Sequence, residues 1–148
     1  MKTRILMQTV LGVCCLAMAF GCATAGGSAA AKAPSGGDDK AAITKTLGDW
    51  GSALASKNVD TILAFYSDAF KDDEGRDKAS FKELIEGVIA NGYLDGAKID
   101  LASAQVSVTG EEAVVAPIAL SGDMGAISLS VSLKKETSGW RITTSRQA

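Results

Sequence analysis

Histidine is absent from the 148-residue sequence, and its absence removes two classes of site. A Ser-His-Asp or Cys-His triad in its usual form needs this side chain, and so does a histidine-ligated metal site. The patterns GxxxxGK[ST] and GxGxxG, which mark phosphate-binding loops, are missing as well. The 15 basic and 17 acidic residues provide no basic excess for nucleic acid. We therefore expect no cofactor and no nucleic-acid partner.

Cysteine is missing from the last 126 residues, because Cys14, Cys15 and Cys22 all lie within the first 22. Small exported domains often depend on disulfides, but the chain after Cys22 has no pair of cysteines to form one. Cys22 is therefore not a disulfide staple within a domain, and its role must lie elsewhere.

The first 21 residues have the three regions of a secretory signal peptide. Lys2 and Arg4 make a basic start, an apolar run covers 5–20, and small residues occupy 21–27. The run is short for a helix that stays in a bilayer. A buried N-terminal helix is the alternative, but the run lacks an amphipathic stripe.

The segment AFGC at 19–22 resembles the lipobox of bacterial lipoproteins. In those proteins the signal peptide is cut before the cysteine, which then carries the lipid. The resemblance implies lipidation of Cys22 and attachment to the cell envelope. The alternative is ordinary cleavage after Ala25, with 23–25 as the small-x-small site, which would release a periplasmic or secreted soluble protein.

Residues 22–38 are expected to hold the lipidation cysteine and a flexible tether, since Ala, Gly and Ser fill twelve of the sixteen positions in 23–38. Such a tether spans about 20–25 Å. Removal of 1–21 leaves 13 basic and 17 acidic residues, a net charge of −4. The remaining segment, 39–148, is long enough for one domain with a single apolar core.

Hydrophobic periodicity predicts three helices in the first half of this domain. Helix one, capped by Asp38 or Asp39, has apolar residues at spacings of four, three and four: Ile43, Leu47, Trp50 and Leu54. A short second helix is predicted over 59–66. Asp77 caps the third helix, which ends at 91–92 and has an apolar face formed by Phe81, Leu84, Ile85, Val88 and Ile89.

The apolar period then changes to two, which predicts a four-stranded antiparallel meander. Apolar residues alternate on odd numbers up to Leu101 and on even numbers from Ala104, so we expect a bulge near Ser103 that bends the sheet. The run 113–120 is almost wholly apolar and predicts a strand covered on both faces. Alternation over 126–133 predicts a strand with one core face. The fold class is α+β, with three N-terminal helices packed on a curved, mainly antiparallel sheet.

Three segments resemble the nuclear transport factor 2-like (SnoaL-like) superfamily: WGSALASKNVDTILAFYSDAF at 50–70, GEEA at 110–113 and GWRI at 139–142. The resemblance implies a cone-shaped fold, in which a bent sheet wraps around helices and leaves a pocket at its wide end. The superfamily includes ketosteroid isomerase-like enzymes, polyketide cyclases, dehydratases and non-catalytic binding or assembly domains. Its fold alone therefore does not select a function.

Ketosteroid isomerase-like members have a carboxylate base after the second helix, where this chain has Asp72, Asp73 and Glu74. Clustered acids repel one another, so we expect a raised pKa for any one that faces the pocket. A solvated loop is the alternative. Trp50 matches the tyrosine that those enzymes use as an oxyanion donor, and 126–133 lacks their strand aspartate. The acids fit no calcium-loop spacing, so we expect no metal site.

Trp50, Tyr66 and Trp140 stand where the superfamily lines its pocket, so the resemblance implies an apolar ligand site with polar tips. Core packing is the alternative for these aromatic residues. Arg141 and Arg146 lie on the last predicted strand, where they could face either water or an anionic ligand.

The sequence thus predicts an exported protein that lipid on Cys22 holds at the cell envelope. Its domain is expected to be non-catalytic, to bind an apolar small molecule or another protein, and to form a homodimer through its sheet. The alternative is a divergent ketosteroid isomerase-like or dehydratase-like enzyme that uses Asp72, Asp73 or Glu74 as its base.

Overall fold

A computed structural model describes residues 36–148 of the protein. The predicted signal peptide, Cys22 and the tether up to residue 35 lie outside the described residues. Within 36–148, no helix is both long and apolar enough to cross a bilayer.

Three helices precede five strands, which confirms the predicted α+β class. The helices are α1 (Gly36–Ser56), α2 (Val59–Leu63) and α3 (Lys78–Ala90), and the strands are β1 (Lys98–Asp100), β2 (Gln105–Thr109), β3 (Glu112–Gly122), β4 (Gly125–Glu136) and β5 (Gly139–Gln147). The strands form one sheet in the order β1-β3-β4-β5, and β2 also pairs with β3. Every pairing is antiparallel.

The apolar stripe predicted for α1 is buried. Its four members are at most 3% exposed: Ile43, Leu47, Trp50 and Leu54. The helix begins at Gly36, so it includes the last residues of the predicted tether. Asp38 and Asp39 consequently lie in its first turn instead of capping it, where negative charge stabilises a helix.

The other two helices begin at capping side chains. Asn58 accepts a hydrogen bond from the Thr61 N–H (3.0 Å), and Asp77 accepts one from the Ser80 N–H (2.9 Å), as predicted for Asp77. The second helix ends at Leu63, earlier than predicted, because the backbone from Phe65 onward pairs with β5 instead.

The predicted first strand is two separate strands, so the sheet has five strands and not four. β1 pairs with residues 119–121 of β3, whereas β2 pairs with 112–116. The intervening residues 101–104 belong to neither strand. The irregularity expected near Ser103 is therefore a break in the strand and not a bulge within it.

Strand β3 carries the bulge instead. Its register with β4 shifts between Val115 and Ile118, on either side of Pro117, which has no N–H for the sheet ladder. The expectation that both faces of this strand are covered is wrong for its first half. Ala113 and Val115 are buried, but Val114 is 42% exposed on the outward face.

Close contact between α1 and β1 depends on one glycine. A Cβ atom on Gly51 would lie 2.4 Å from Cγ1 and 2.7 Å from Cδ1 of Ile99. Gly48 lies one helical turn earlier, is exposed, and has no atom within 4 Å of the same position. The absence of a side chain at Gly51 therefore sets how near the helix comes to the sheet.

We predict opposite effects for alanine at these two glycines. Gly48→Ala should raise the free energy of unfolding by about 0.8–1 kcal/mol, the helix-propensity difference. Gly51→Ala should lower it by about 1–2 kcal/mol, because overpacking against Ile99 exceeds that gain. Urea unfolding of both variants measures the difference. Stabilisation by Gly51→Ala would contradict the prediction, because it would show that β1 moves away from the helix at little energetic cost.

Candidate functional site

A cavity of about 330 Å³ lies between the helices and the helix-covered face of the sheet. This volume falls in the lower part of the range usual for small-molecule sites. Most of its wall is apolar and includes Trp50, Leu54, Phe81, Ile85, Leu120 and Leu129. The polar part of the wall comes from the loop after α2 and from the end of β5.

Backbone hydrogen bonds attach the segment after α2 to β5. Ser67 N–H donates to the Ile142 carbonyl (2.9 Å), and Ile142 N–H donates to the Phe65 carbonyl (2.8 Å). Lys71 N–H then donates to the Thr143 carbonyl (3.0 Å). These bonds hold Tyr66, and the loop that follows it, beside the edge of the sheet.

Tyr66 is the centre of an aromatic cluster that closes the inner end of the cavity. Its ring lies 4.8 Å from the ring of Phe70 and 5.0 Å from that of Phe81. The Trp50 ring lies 6.4 Å away in an edge-on arrangement. Such pairs add to the stability that apolar burial provides.

One polar tip of this cluster has no hydrogen-bond partner within 36–148. Trp50 is 2% exposed, and its indole nitrogen has no hydrogen-bond partner among these residues. Burial raises the pKa of the Tyr66 hydroxyl well above its usual value, and the nearby Trp50 N–H partly offsets this. The two groups are thus close, but their geometry is not that of a hydrogen bond.

Asp72 borders the same cavity, but its carboxylate is already hydrogen-bonded within its own loop. One carboxylate oxygen accepts hydrogen bonds from the N–H groups of Glu74 (3.0 Å) and Arg76 (2.8 Å). The other accepts from the Arg76 guanidinium (2.6 Å). Asp72 therefore organises the turn.

The pKa of Asp72 is lowered, contrary to the raised value expected from the sequence. Burial alone would raise it, but the hydrogen bonds and positive charge of Arg76, with the Glu74 N–H, outweigh that effect. A carboxylate with a lowered pKa is a weak base, so Asp72 is poorly suited to proton abstraction.

Asp73 and Glu74 also border the cavity, yet both are exposed. The Glu74 carboxylate pairs with Arg76, whereas Asp73 accepts no hydrogen bond from any described residue. Neither side chain is enclosed beside Trp50 or Tyr66. The structure therefore brings all three predicted acids to the cavity. It buries only Asp72, whose carboxylate is hydrogen-bonded within the loop.

Trp140 does not line this cavity, which differs from the expectation. It stands at the opposite end of β5 from Ser145 and Gln147, which do line it. Lys135 lies over its ring at 5.8 Å and pairs with Asp39 of α1 at 2.6 Å. Trp140 therefore packs beneath the start of α1.

Of the two arginines of β5, Arg146 borders the cavity and Arg141 does not. Ser145 and Gln147 pair with Val131 and Leu129, and Arg146 between them pairs with Ser130 near the end of the strand. Arg141 pairs with Lys134 near the far end of β5.

Sequence reasoning missed Arg76, Ser145 and Gln147 as residues of the site. Arg76 follows three acids closely enough for an ion pair to be foreseen. Ser145 and Gln147 could be placed only once an extra residue in β5, Thr143, had been located, since the register shifts there.

Comparison with solved structures shows that the chain has the nuclear transport factor 2-like, or cystatin-like, fold. A protein of unknown function with a cystatin-like fold from Nostoc punctiforme is similar at a TM-score of 0.61 and 13% identity, over 74% of this chain and 89% of that one. A nuclear transport factor 2-like protein of unknown function from Pseudomonas putida gives 0.58 and 16%, over 77% and 87%.

A candidate ketosteroid isomerase from Shewanella frigidimarina is similar at a TM-score of 0.59 and 19% identity, over 72% of this chain and 94% of that one. No protein-family model and no curated protein sequence matches the chain. At these identities the likenesses establish the fold and leave the function open.

We predict that Asp72→Asn lowers the free energy of unfolding at neutral pH by about 1.5–3 kcal/mol, the usual contribution of hydrogen bonds to a charged group. The folded-state pKa of Asp72 lies below its unfolded-state value. Its contribution is thus present above the unfolded-state pKa and is lost as the pH falls through the folded-state pKa. Urea unfolding should show the two proteins converging below about pH 4.

Asp73→Asn is the matched control, because Asp73 is exposed and lies beside Asp72. It should change the free energy of unfolding by less than about 0.5 kcal/mol at every pH. Equal losses in both variants would show that Asp72 does not organise the loop.

Proposed function

We propose that the protein is a non-catalytic binding module that takes up a small apolar molecule in the cavity beside Trp50 and Tyr66. The observation that carries the proposal is an apolar cavity of about 330 Å³ whose buried indole N–H lacks a partner among the described residues. A buried donor without a partner costs about 1–3 kcal/mol, and an acceptor atom on a ligand could recover this.

The state of the acidic residues supports binding over catalysis. A general base has to reach the substrate and needs a pKa near the working pH. Asp72 has a lowered pKa and hydrogen-bond donors on both oxygens. Asp73 and Glu74 are exposed to water and are not enclosed beside a bound substrate.

Exposed Asp73 at the cavity keeps one rival function, a divergent isomerase or dehydratase, open to test. It would act on a small carbonyl compound, with Asp73 as the base. The likeness to candidate isomerase and dehydratase structures supports this rival by fold alone.

We predict that the neutral fluorescent probe N-phenyl-1-naphthylamine binds in this cavity. Ser145→Phe places a large ring inside it, because Ser145 lines the wall, and should weaken binding at least about tenfold. Thr144→Phe is the control, since Thr144 is the neighbouring residue on the opposite face of β5. Fluorescence titration measures both affinities.

Equal weakening by both variants, or no binding by the wild type, would contradict the proposal. Exchange of α-protons of small ketones in deuterium oxide, measured by nuclear magnetic resonance, addresses the rival. Exchange that the wild type catalyses and that Asp73→Asn abolishes would establish the enzyme instead.

The proposal also covers the location of the protein and its partners. We infer that the chain is exported, that lipid on Cys22 holds it at the membrane, and that a second copy pairs with the outward face of the sheet. The leader pattern and the lipobox-like segment at 19–22 support the anchor.

We predict that growth with a labelled fatty acid labels the protein through Cys22. Cys22→Ala should remove the label and move the protein from the membrane to the soluble fraction. Cys15→Ala is the control and should keep both the label and the location, because the signal peptide carries Cys15 away. Label retained by Cys22→Ala would rule out Cys22 as the anchor, and a wild type without label would favour cleavage after Ala25.

A further inference from the structure

A second cavity, of about 460 Å³, adjoins the first one. The two share four apolar wall residues: Val88, Leu94, Leu120 and Ile127. Beyond this shared wall, the second cavity has Tyr93 and Met124 at its rim, which are 54% and 64% exposed. Large apolar side chains exposed together in this way mark binding surfaces more often than isolated ones do.

Backbone contacts fix the shape of the second cavity. Asp123 N–H, in the turn between β3 and β4, donates to the Asp95 carbonyl (2.8 Å), and a Cβ on Gly122 would lie 2.9 Å from that oxygen. Tyr93 N–H donates to the Val88 carbonyl at the end of α3 (3.0 Å). The β3–β4 turn and the segment after α3 are thus held together, so the cavity between them is already formed without a ligand.

The chemistry of the walls differs between the two cavities. The first has polar tips at Trp50 and Tyr66, whereas the wall of the second has no acidic or basic side chain. A molecule that filled both would need an acceptor atom near one end and an apolar chain toward the other. We propose that the ligand is an elongated neutral molecule of this kind, whose chain passes the shared wall into the second cavity. The proposal rests on the function proposed above.

The charges at the first cavity favour a neutral ligand over a carboxylate. Asp72, Asp73 and Glu74 all border it, and Arg76 is already paired with two of them. Arg146 also borders the first cavity, so its wall carries three acidic and two basic side chains. An anionic ligand would therefore meet a net negative charge and would also have to lose its hydration.

Calorimetric titration of the full chain with straight-chain 2-alkanones, from about six to about fourteen carbons, tests this inference. For chains too long for the first cavity, affinity should still rise by about fourfold for each methylene, the usual gain from burying one. Ile127→Asp should weaken the binding of long ketones much more than that of short ones and so flatten this rise, because a carboxylate would then stand in the shared wall.

Val114→Asp is the matched control. Val114 is 42% exposed, almost the same as the 44% of Ile127, but it lies outside both cavities. It should leave the whole series unchanged. Carboxylates of the same chain length should bind more weakly than the ketones at every length.

The possible failures are distinguishable. One outcome is that ketones bind, that Ser145→Phe prevents this binding, and that affinity does not rise beyond the short chain lengths. This outcome would overturn the proposal of an elongated ligand but would leave the proposed binding in the first cavity standing. If the carboxylates bind more tightly than the ketones, only the claim that the ligand is neutral is overturned. If neither ketones nor N-phenyl-1-naphthylamine bind, the proposed function itself fails.

Discussion

The hydrogen bonds between residues 65–71 and β5 are the contact on which the site depends. They attach the chain after α2 to the sheet at Ile142 and Thr143, where β5 has an extra residue. Tyr66 and the acidic loop therefore keep fixed positions relative to the inward side chains of the same strand. Without these bonds, the helices could still pack on the sheet, but the wall that combines Tyr66 with Ser145 would not form.

Asp72 shows how an acidic side chain can hold the loop in place. Three donors from its own turn surround the carboxylate, so its charge stabilises the loop geometry and is not available to a substrate. The loop then places Asp73 and Glu74 at the cavity, beside Arg76. This arrangement supports the proposed binding of a neutral ligand over proton transfer.

The parts of the fold that follow hydrophobic period could be predicted, and those that depend on tertiary hydrogen bonds could not. The stripe of α1 and the Asp77 cap follow from local spacing, so they are present as predicted. The bulge of β3 and the buried state of Asp72 depend on residues distant in the fold or on backbone donors. For the same reason, the lining role of Trp50 could be foreseen, but the separation of Trp140 from the cavity could not.

The position of α1 is compatible with both the proposed anchor and the proposed binding. Asp39 in its first turn pairs with Lys135, which covers Trp140, so the end of the helix nearest the predicted tether is fastened to the β4–β5 turn. Trp50 lies eleven residues further along, about 16 Å away at the rise of an α-helix. The start of α1 and the cavity wall are thus separate parts of the domain. The proposed anchor at Cys22 and the proposed binding in the cavity therefore involve different parts of the chain.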